Sequence, residues 1–201
     1  MTARRLAALA GHANDAVAAR ELTTHADAPV RATAFAALTR AGALTPADLR
    51  TASRDPAPEV RRRAAELAIS TVNVTKAVRV RTIVALLADH DADVVEHSCW
   101  AAGELTRARL PLGIIETLCV HATEHPDALV REAAVAALGS LGHRGGLGAI
   151  LQATNDKPAI RRRAILALAP FAGPEVDAAL QRAVSDRDWQ VRQAAEDLLA
   201  L

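Results

Sequence analysis

The chain has no tyrosine, and its 201 residues include only two phenylalanines and two tryptophans. Sheets draw on aromatic and β-branched residues, so this shortage speaks against an all-β fold. Two cysteines, Cys99 and Cys119, make no disulfide framework. Lysine is almost missing, with Lys76 and Lys157 alone, so the basic set is arginine. Neither sign of charge is in surplus: 24 basic residues face 23 acidic ones. That balance excludes a general coat for nucleic acid, although a local patch remains open. No apolar run approaches the 18 residues of a membrane span. The short run from Leu6 to Gly11 is soon broken by His12 and Asp15, too early for a signal peptide. A reducing, cytoplasmic location is expected.

What the chain has instead is alanine, 48 of 201 residues. Alanine favours helices and lets them approach closely. The charged share of 23% is that of a folded domain, not a disordered one.

A repeat runs through the sequence. Its clearest copy is DPAPEVRRRAAELA, Asp55 to Ala68, anchored on Val60 and Arg61. Comparable anchors are Val30-Arg31, Val130-Arg131, Ile160-Arg161 and Val191-Arg192, with a degraded copy at Val94-Val95. Successive anchors lie 30, 34, 36, 30 and 31 residues apart, a period that marks a helical solenoid. Four residues after the anchor stand Ala34, Ala64, Ser98, Ala134, Ala164 and Ala195. Eight after stand Leu38, Ala68, Ala102, Leu138, Leu168 and Leu199. Offsets 0, 4, 7, 8 and 11 form one stripe of a 3.6-residue helix.

A turn precedes each anchor. Asp55, Asp89 and Asp186 lie five residues upstream; Asp27, Asp91, Asp127 and Asp188 lie three upstream. Pro29, Pro56, Pro58, Pro126 and Pro158 fall in the same window. Aspartate caps a helix N-terminus and proline fits its first turn. The aspartates also stand where the arginine after the anchor can reach them, so a ladder of such pairs can run down a stack. Shorter apolar-periodic segments near 46–53, 74–88, 111–123, 145–154 and 174–184 lie between the anchor helices. Residues 3–10 and 13–23 form a first, less regular unit. The chain reads as six helix pairs and a closing helix, about 13 helices in one domain, 1–201.

This pattern resembles the HEAT-repeat family, in its short bacterial subclass named after phycocyanobilin-lyase-like repeats. The residues that carry the resemblance are Asp-x4-Val-Arg followed by x2-Ala-x2-Ala-Leu, best seen at 55–68, 127–139 and 186–199. The resemblance implies an all-α, right-handed α-solenoid. It also implies that anchor helices line the convex face and intervening helices the concave face, where such proteins bind partners.

No phosphate loop, nucleophile elbow or zinc-protease motif is present. The glycines Gly142, Gly145, Gly146 and Gly148 read as a turn between helices. His90, His97, Cys99, Cys119, His121 and His125 gather around the third pair, but a metal needs three or four convergent ligands. His97 and Cys99 are two apart on a helix and diverge by about 200°, so no metal site is assigned and the thiols read as free. Deoxyhypusine hydroxylase resembles this class and carries His-Glu dipeptides for iron. Here Glu96-His97 and Glu124-His125 stand in reverse order, which argues against that activity.

Arg61-Arg62-Arg63 and Arg161-Arg162-Arg163 read as repeat arginines followed by solvated neighbours, not as basic motifs. Trp100 falls six residues after Val94, off the core stripe. It reads as an interface anchor, as cover for an adjacent first helix, or as the product of a one-residue register error with Val95 as the anchor. Trp189 reads as cover for the neighbouring unit.

The leading functional reading is a non-enzymatic scaffold or adaptor: a monomer with no catalytic residue and no cofactor that binds a protein partner on its concave face. Candidate contact residues are Arg50, Lys76, Arg79, Arg81 and Trp100. One alternative is a nucleic-acid-binding or base-processing protein of the helical-repeat DNA glycosylase type. Another is a bilin-lyase-like chaperone of a modified protein.

Overall fold

The computed structural model describes residues 2–105, 110 and 112–200. Among them every regular element is helical. The helices are α1 (Ala3–His12), α2 (Ala16–Glu21), α3 (Ala28–Arg40), α4 (Pro46–Ala52), α5 (Pro58–Ser70), α6 (Lys76–Leu87), α7 (Ala92–Gly103), α8 (Leu112–Glu124), α9 (Ala128–Leu141), α10 (Leu147–Ala153), α11 (Pro158–Ala167), α12 (Pro174–Ala183) and α13 (Trp189–Leu199). The anchor helices of the repeat are α3, α5, α7, α9, α11 and α13, and α1 joins them by its packing. The others intervene.

Local chemistry starts and stops these helices. Thr45 and Asp48 close a reciprocal capping box at α4, and Asp127 and Asp188 cap α9 and α13 through their side chains. Proline opens α3, α4, α5, α11 and α12, where the missing N–H is no loss. Gly142 ends α9 in the left-handed conformation, φ 53°.

The chain groups into two compact units, Met1–Ala101 and Ala102–Leu201. In the first, α1, α3 and α5 stack directly on one another, while α2, α4 and α6 touch each other far less. In the second, α9, α11 and α13 stack in the same way, and α8, α10 and α12 lie more apart. The alanine and leucine columns form these cores: Ala34, Ala64, Ala134, Ala164 and Ala195 are fully buried, as are Val30, Val60 and Val130.

Glycine sets the tightest approaches. A Cβ on Gly139 of α9 would stand 2.7 Å from Ala167 Cα of α11, and one on Gly103 of α7 would stand 3.0 Å from Ala137 Cα of α9. Each glycine sits nine residues after its anchor only if α7 is anchored on Val94, which resolves the register of the degraded copy.

The tight side of each unit is therefore its anchor-helix side, and the loose side is the intervening one. Within each unit the anchor helices meet closely and the intervening helices do not. The reason lies in the columns. Small residues at offsets 4, 7 and 9 draw anchor helices together, and no such columns exist on the intervening helices.

Candidate functional site

The repeat arginines form a two-pronged ladder. In the first unit Arg31 donates from Nε and Nη2 to Asp55 at 2.8 and 2.6 Å, and Arg61 donates to Asp89 at 2.7 and 2.9 Å. In the second, Arg131 holds Asp156 at 2.7 and 3.0 Å, and Arg161 holds Asp186 at 2.9 and 2.7 Å. Each aspartate belongs to the turn of the following repeat. Meanwhile Nη1 of the same arginine seals its own turn: Arg61 donates to the carbonyls of Asp55 and Pro56, and Arg131 to those of His125 and Pro126. Such planar, bidentate pairs are the strong form of a charged hydrogen bond.

The ladder sets the titration of its acids. At Asp55 and Asp89 burial is the largest influence and acts upward. The arginine and backbone hydrogen bonds, with the nearby positive charge, outweigh it and hold both carboxyls below their usual range. At Asp156 and Asp186 the arginine hydrogen bond is itself the largest influence, and both are again lowered. The ladder is structural, and it accounts for the first arginine of both Arg-Arg-Arg runs.

The other arginines of those runs behave less uniformly than their sequence implies. Arg162 is exposed, but Arg62 is half-buried, with its Nε enclosed and unpaired among the described residues. A long aliphatic stem packs down where space allows. Arg63 reaches Glu66 in a short ion pair, and Arg163 reaches Glu132 at 3.4 Å.

The five candidate contact residues divide. Arg79 is held inward: its guanidinium donates to the carbonyls of Val74, Ile69 and Thr71 at 3.1, 3.2 and 2.6 Å, closing the turn before α6. Arg50, Lys76 and Arg81 are exposed on α4 and α6, the loose side of the first unit. The carboxylates of that region, Asp48, Asp55 and Asp89, are already engaged by Arg20, Arg31 and Arg61. Trp100 lies on the opposite, anchor-helix side and is 50% exposed.

Around Trp100 the anchor helices carry a short polar chain. Glu66 of α5 takes Arg63 on one oxygen and stands 3.9 Å from His97 Nε2 on the other. His97, one turn before Trp100, is also fixed at 2.8 Å to the carbonyl of Asp93. Glu66 and Trp100 share one column of the repeat. In the second unit the same column holds Ala136 and Leu166, which with Gly139, Ser140, Arg163 and Pro170 line a shallow groove of about 420 Å³. Sequence reasoning found Trp100 by its offset. It missed Arg63, Glu66 and His97, because only the packing of α5 beside α7 brings them together.

Among the described residues no three His, Cys, Asp or Glu side chains converge to hold a metal. Cys99 is buried, and burial, reinforced by Glu96, pushes its thiol up to about 12. Cys119 is half-buried, raised by burial and then Glu116, and donates to the Gly145 carbonyl at 3.6 Å. Both cysteines are free. No helix among the described residues is long and apolar enough to cross a membrane.

Stacked helix pairs with recurring anchor columns define the fold of each unit as an α-solenoid. Residues 115–200 match the family model of HEAT repeats. No curated protein matches it. Solved structures share the fold. The Escherichia coli protein YibA matches with a TM-score of 0.68 at 16% identity, over 90% of this chain and 68% of its own. A designed armadillo repeat protein, solved in complex with the peptide (KR)4, matches with a TM-score of 0.64 at 15% identity, over 93% and 98%. Human deoxyhypusine hydroxylase matches with a TM-score of 0.51 at 21% identity, over 98% and 78%.

Proposed function

We propose that this protein is an interaction scaffold that holds a protein segment against the anchor helices of its first unit, with Trp100 as the central contact. The observation that carries this reading is Trp100 itself, a half-exposed indole beside the fixed Arg63–Glu66–His97 chain. A large rigid aromatic ringed by polar groups is the usual composition of a binding hot spot. The designed armadillo neighbour solved with a bound peptide lends support by likeness of fold.

A photo-reactive amino acid placed at Glu66 tests this reading in the native cell. A discrete protein adduct, lost when Trp100→Ala is added, is the expected result. Adducts indifferent to Trp100→Ala overturn it.

A second reading keeps the exposed Arg50, Lys76 and Arg81 as the contact surface for an acidic partner or nucleic acid. It is favoured by the exposure of these three basic side chains on α4 and α6. Under it, Arg50→Glu with Arg81→Glu abolishes capture and Trp100→Ala leaves it intact.

A further inference from the structure

The groove between α9 and α11 lies where the repeat has given up two side chains. Ala136 and Gly139 of α9 line it, six and nine residues after their anchor. At the same positions α5 carries Glu66 and Ile69. In the second unit a methyl and a hydrogen stand in their place, beside a hollow of about 420 Å³.

The hollow has a rigid floor. Gly139 lets the two backbones meet, since a Cβ there would stand 2.7 Å from Ala167 Cα. Ala167 is buried and Leu166 is 36% exposed. Past α11 the chain is tied back: the Ala169 N–H donates to the Leu166 carbonyl at 3.3 Å, and the Phe171 N–H to the Leu168 carbonyl at 2.9 Å. Pro170 between them has a fixed φ. A site already formed in this way imposes little ordering cost when it is filled.

Charge narrows what can fill it. Arg163 is the one charged residue among those lining the groove. Unlike the ladder arginines, it is not gripped. Its one hydrogen bond among the described residues runs from Nη2 to Glu132 at 3.4 Å, and its side chain is 41% exposed. Arg161, two residues earlier, holds Asp186 at 2.9 and 2.7 Å. Arg163 thus keeps donors for a closer, two-pronged carboxylate. A guanidinium also stacks well on an aromatic face. A flat ring suits a shallow floor of backbone and methyl groups. The volume is near the low end of the roughly 300–1,000 Å³ of ligand sites, which fits one large side chain with its adjoining backbone.

We propose that this groove is a second binding site, for an extended peptide segment in which an aromatic residue adjoins an acidic one. The ring rests on Ala136, Gly139 and Ala167, and the carboxylate pairs with Arg163. The site is separate from the Trp100 surface, and neither test reads the other's residues.

Nuclear magnetic resonance of the isotope-labelled chain decides it, with N-acetyl-Phe-Glu amide as the probe and N-acetyl-Phe-Lys amide as its charge-reversed control. The expected result is saturable movement of the Gly139, Ser140, Arg163 and Leu166 amide signals in the high-micromolar to millimolar range. The lysine probe binds at least about tenfold more weakly. Arg163→Gln brings the glutamate probe down to the level of the lysine one. Ala136→Leu fills the hollow and removes both responses, whereas Trp100→Ala changes neither. The two probes on the parent chain decide even if a variant fails to fold. No movement up to millimolar probe overturns the proposal, as does equal binding of the two probes or movement confined to other residues. Groove signals that shift with protein concentration alone, and cease to do so in Trp100→Ala, overturn it in favour of a second copy's indole as the occupant.

Discussion

Arg61 clasps Asp89 with two hydrogen bonds, at 2.7 and 2.9 Å, while its third nitrogen closes the turn ahead of its own helix. Both side chains are only 7% exposed. Removing one member leaves the other charge buried and uncompensated, which costs about 3–5 kcal/mol. Asp89→Ala is therefore expected to lower unfolding free energy by that amount in urea titration. Arg162→Ala, on an exposed position, is expected to change it by no more than about 0.5 kcal/mol. Equal effects at the two sites would show that the ladder does not stabilise the fold.

The same pairs give an acid limit. Asp55, Asp89, Asp156 and Asp186 are all held below the ordinary carboxylate range. A group whose folded pKa is depressed adds stability that is fully present above its unfolded value and is lost as pH falls toward the folded one. Stability should accordingly be flat from neutrality down to about pH 5 and fall steeply below about pH 4. Asp89→Asn should flatten part of that fall, measured by thermal unfolding at stepped pH.

Helix approach sets a third expectation. Gly139→Ala forces a methyl to within 2.7 Å of the Ala167 backbone and should destabilise by roughly 1–3 kcal/mol. Ala134→Leu, at a fully buried position, belongs to the same range. Gly148→Ala meets nothing within 4 Å near the start of α10. It should be neutral or stabilise by up to about 1 kcal/mol through helix propensity. Calorimetric scans of the three variants rank them.

Thiol chemistry should separate the two cysteines. A maleimide at neutral pH is expected to label half-buried Cys119 slowly and Cys99 only after unfolding, since burial holds the Cys99 thiol at about 12. Mass spectrometry of the labelled peptides reads both. Rapid native labelling of Cys99 would mean that α7 opens readily.

Duplex DNA offers a check on the second functional reading. Arg50, Lys76 and Arg81 are few, so binding should be weak and should fade steeply as salt rises. Tight binding at physiological salt, lost with Arg50→Glu and Arg81→Glu together, would overturn the Trp100 reading.

Much of this fold was legible because a helical repeat writes its core as columns. Ala34, Ala64, Ala134 and Ala164 could be placed in the interior by offset alone, and the Asp–Arg ladder followed from the turn. Its register was less visible: Asp156 stands four residues before its anchor, where the other rungs have five. Two histidines, His25 and His125, occupy the aspartate position and accept from the N–H of Asp27 and Asp127 through Nδ1. Imidazole thus replaces carboxylate at the turn. The sequence could not show that Arg79 would be spent on three carbonyls. Spacing fixes where a side chain starts, and the fate of a long one depends on which acceptors lie within its reach. Nor could it show which helices hold the tight side, because that depends on how closely backbones meet.

Each internal rung takes its arginine from one repeat and its aspartate from the next. A repeat therefore carries a donor at one boundary and an acceptor at the other, like a bead with matched ends. When a gene segment of one period is duplicated in tandem, the new copy arrives with both ends already compatible with its neighbours. Such a chain can lengthen or shorten by whole units without a new joint evolving, and every gain of a unit adds surface along the same face.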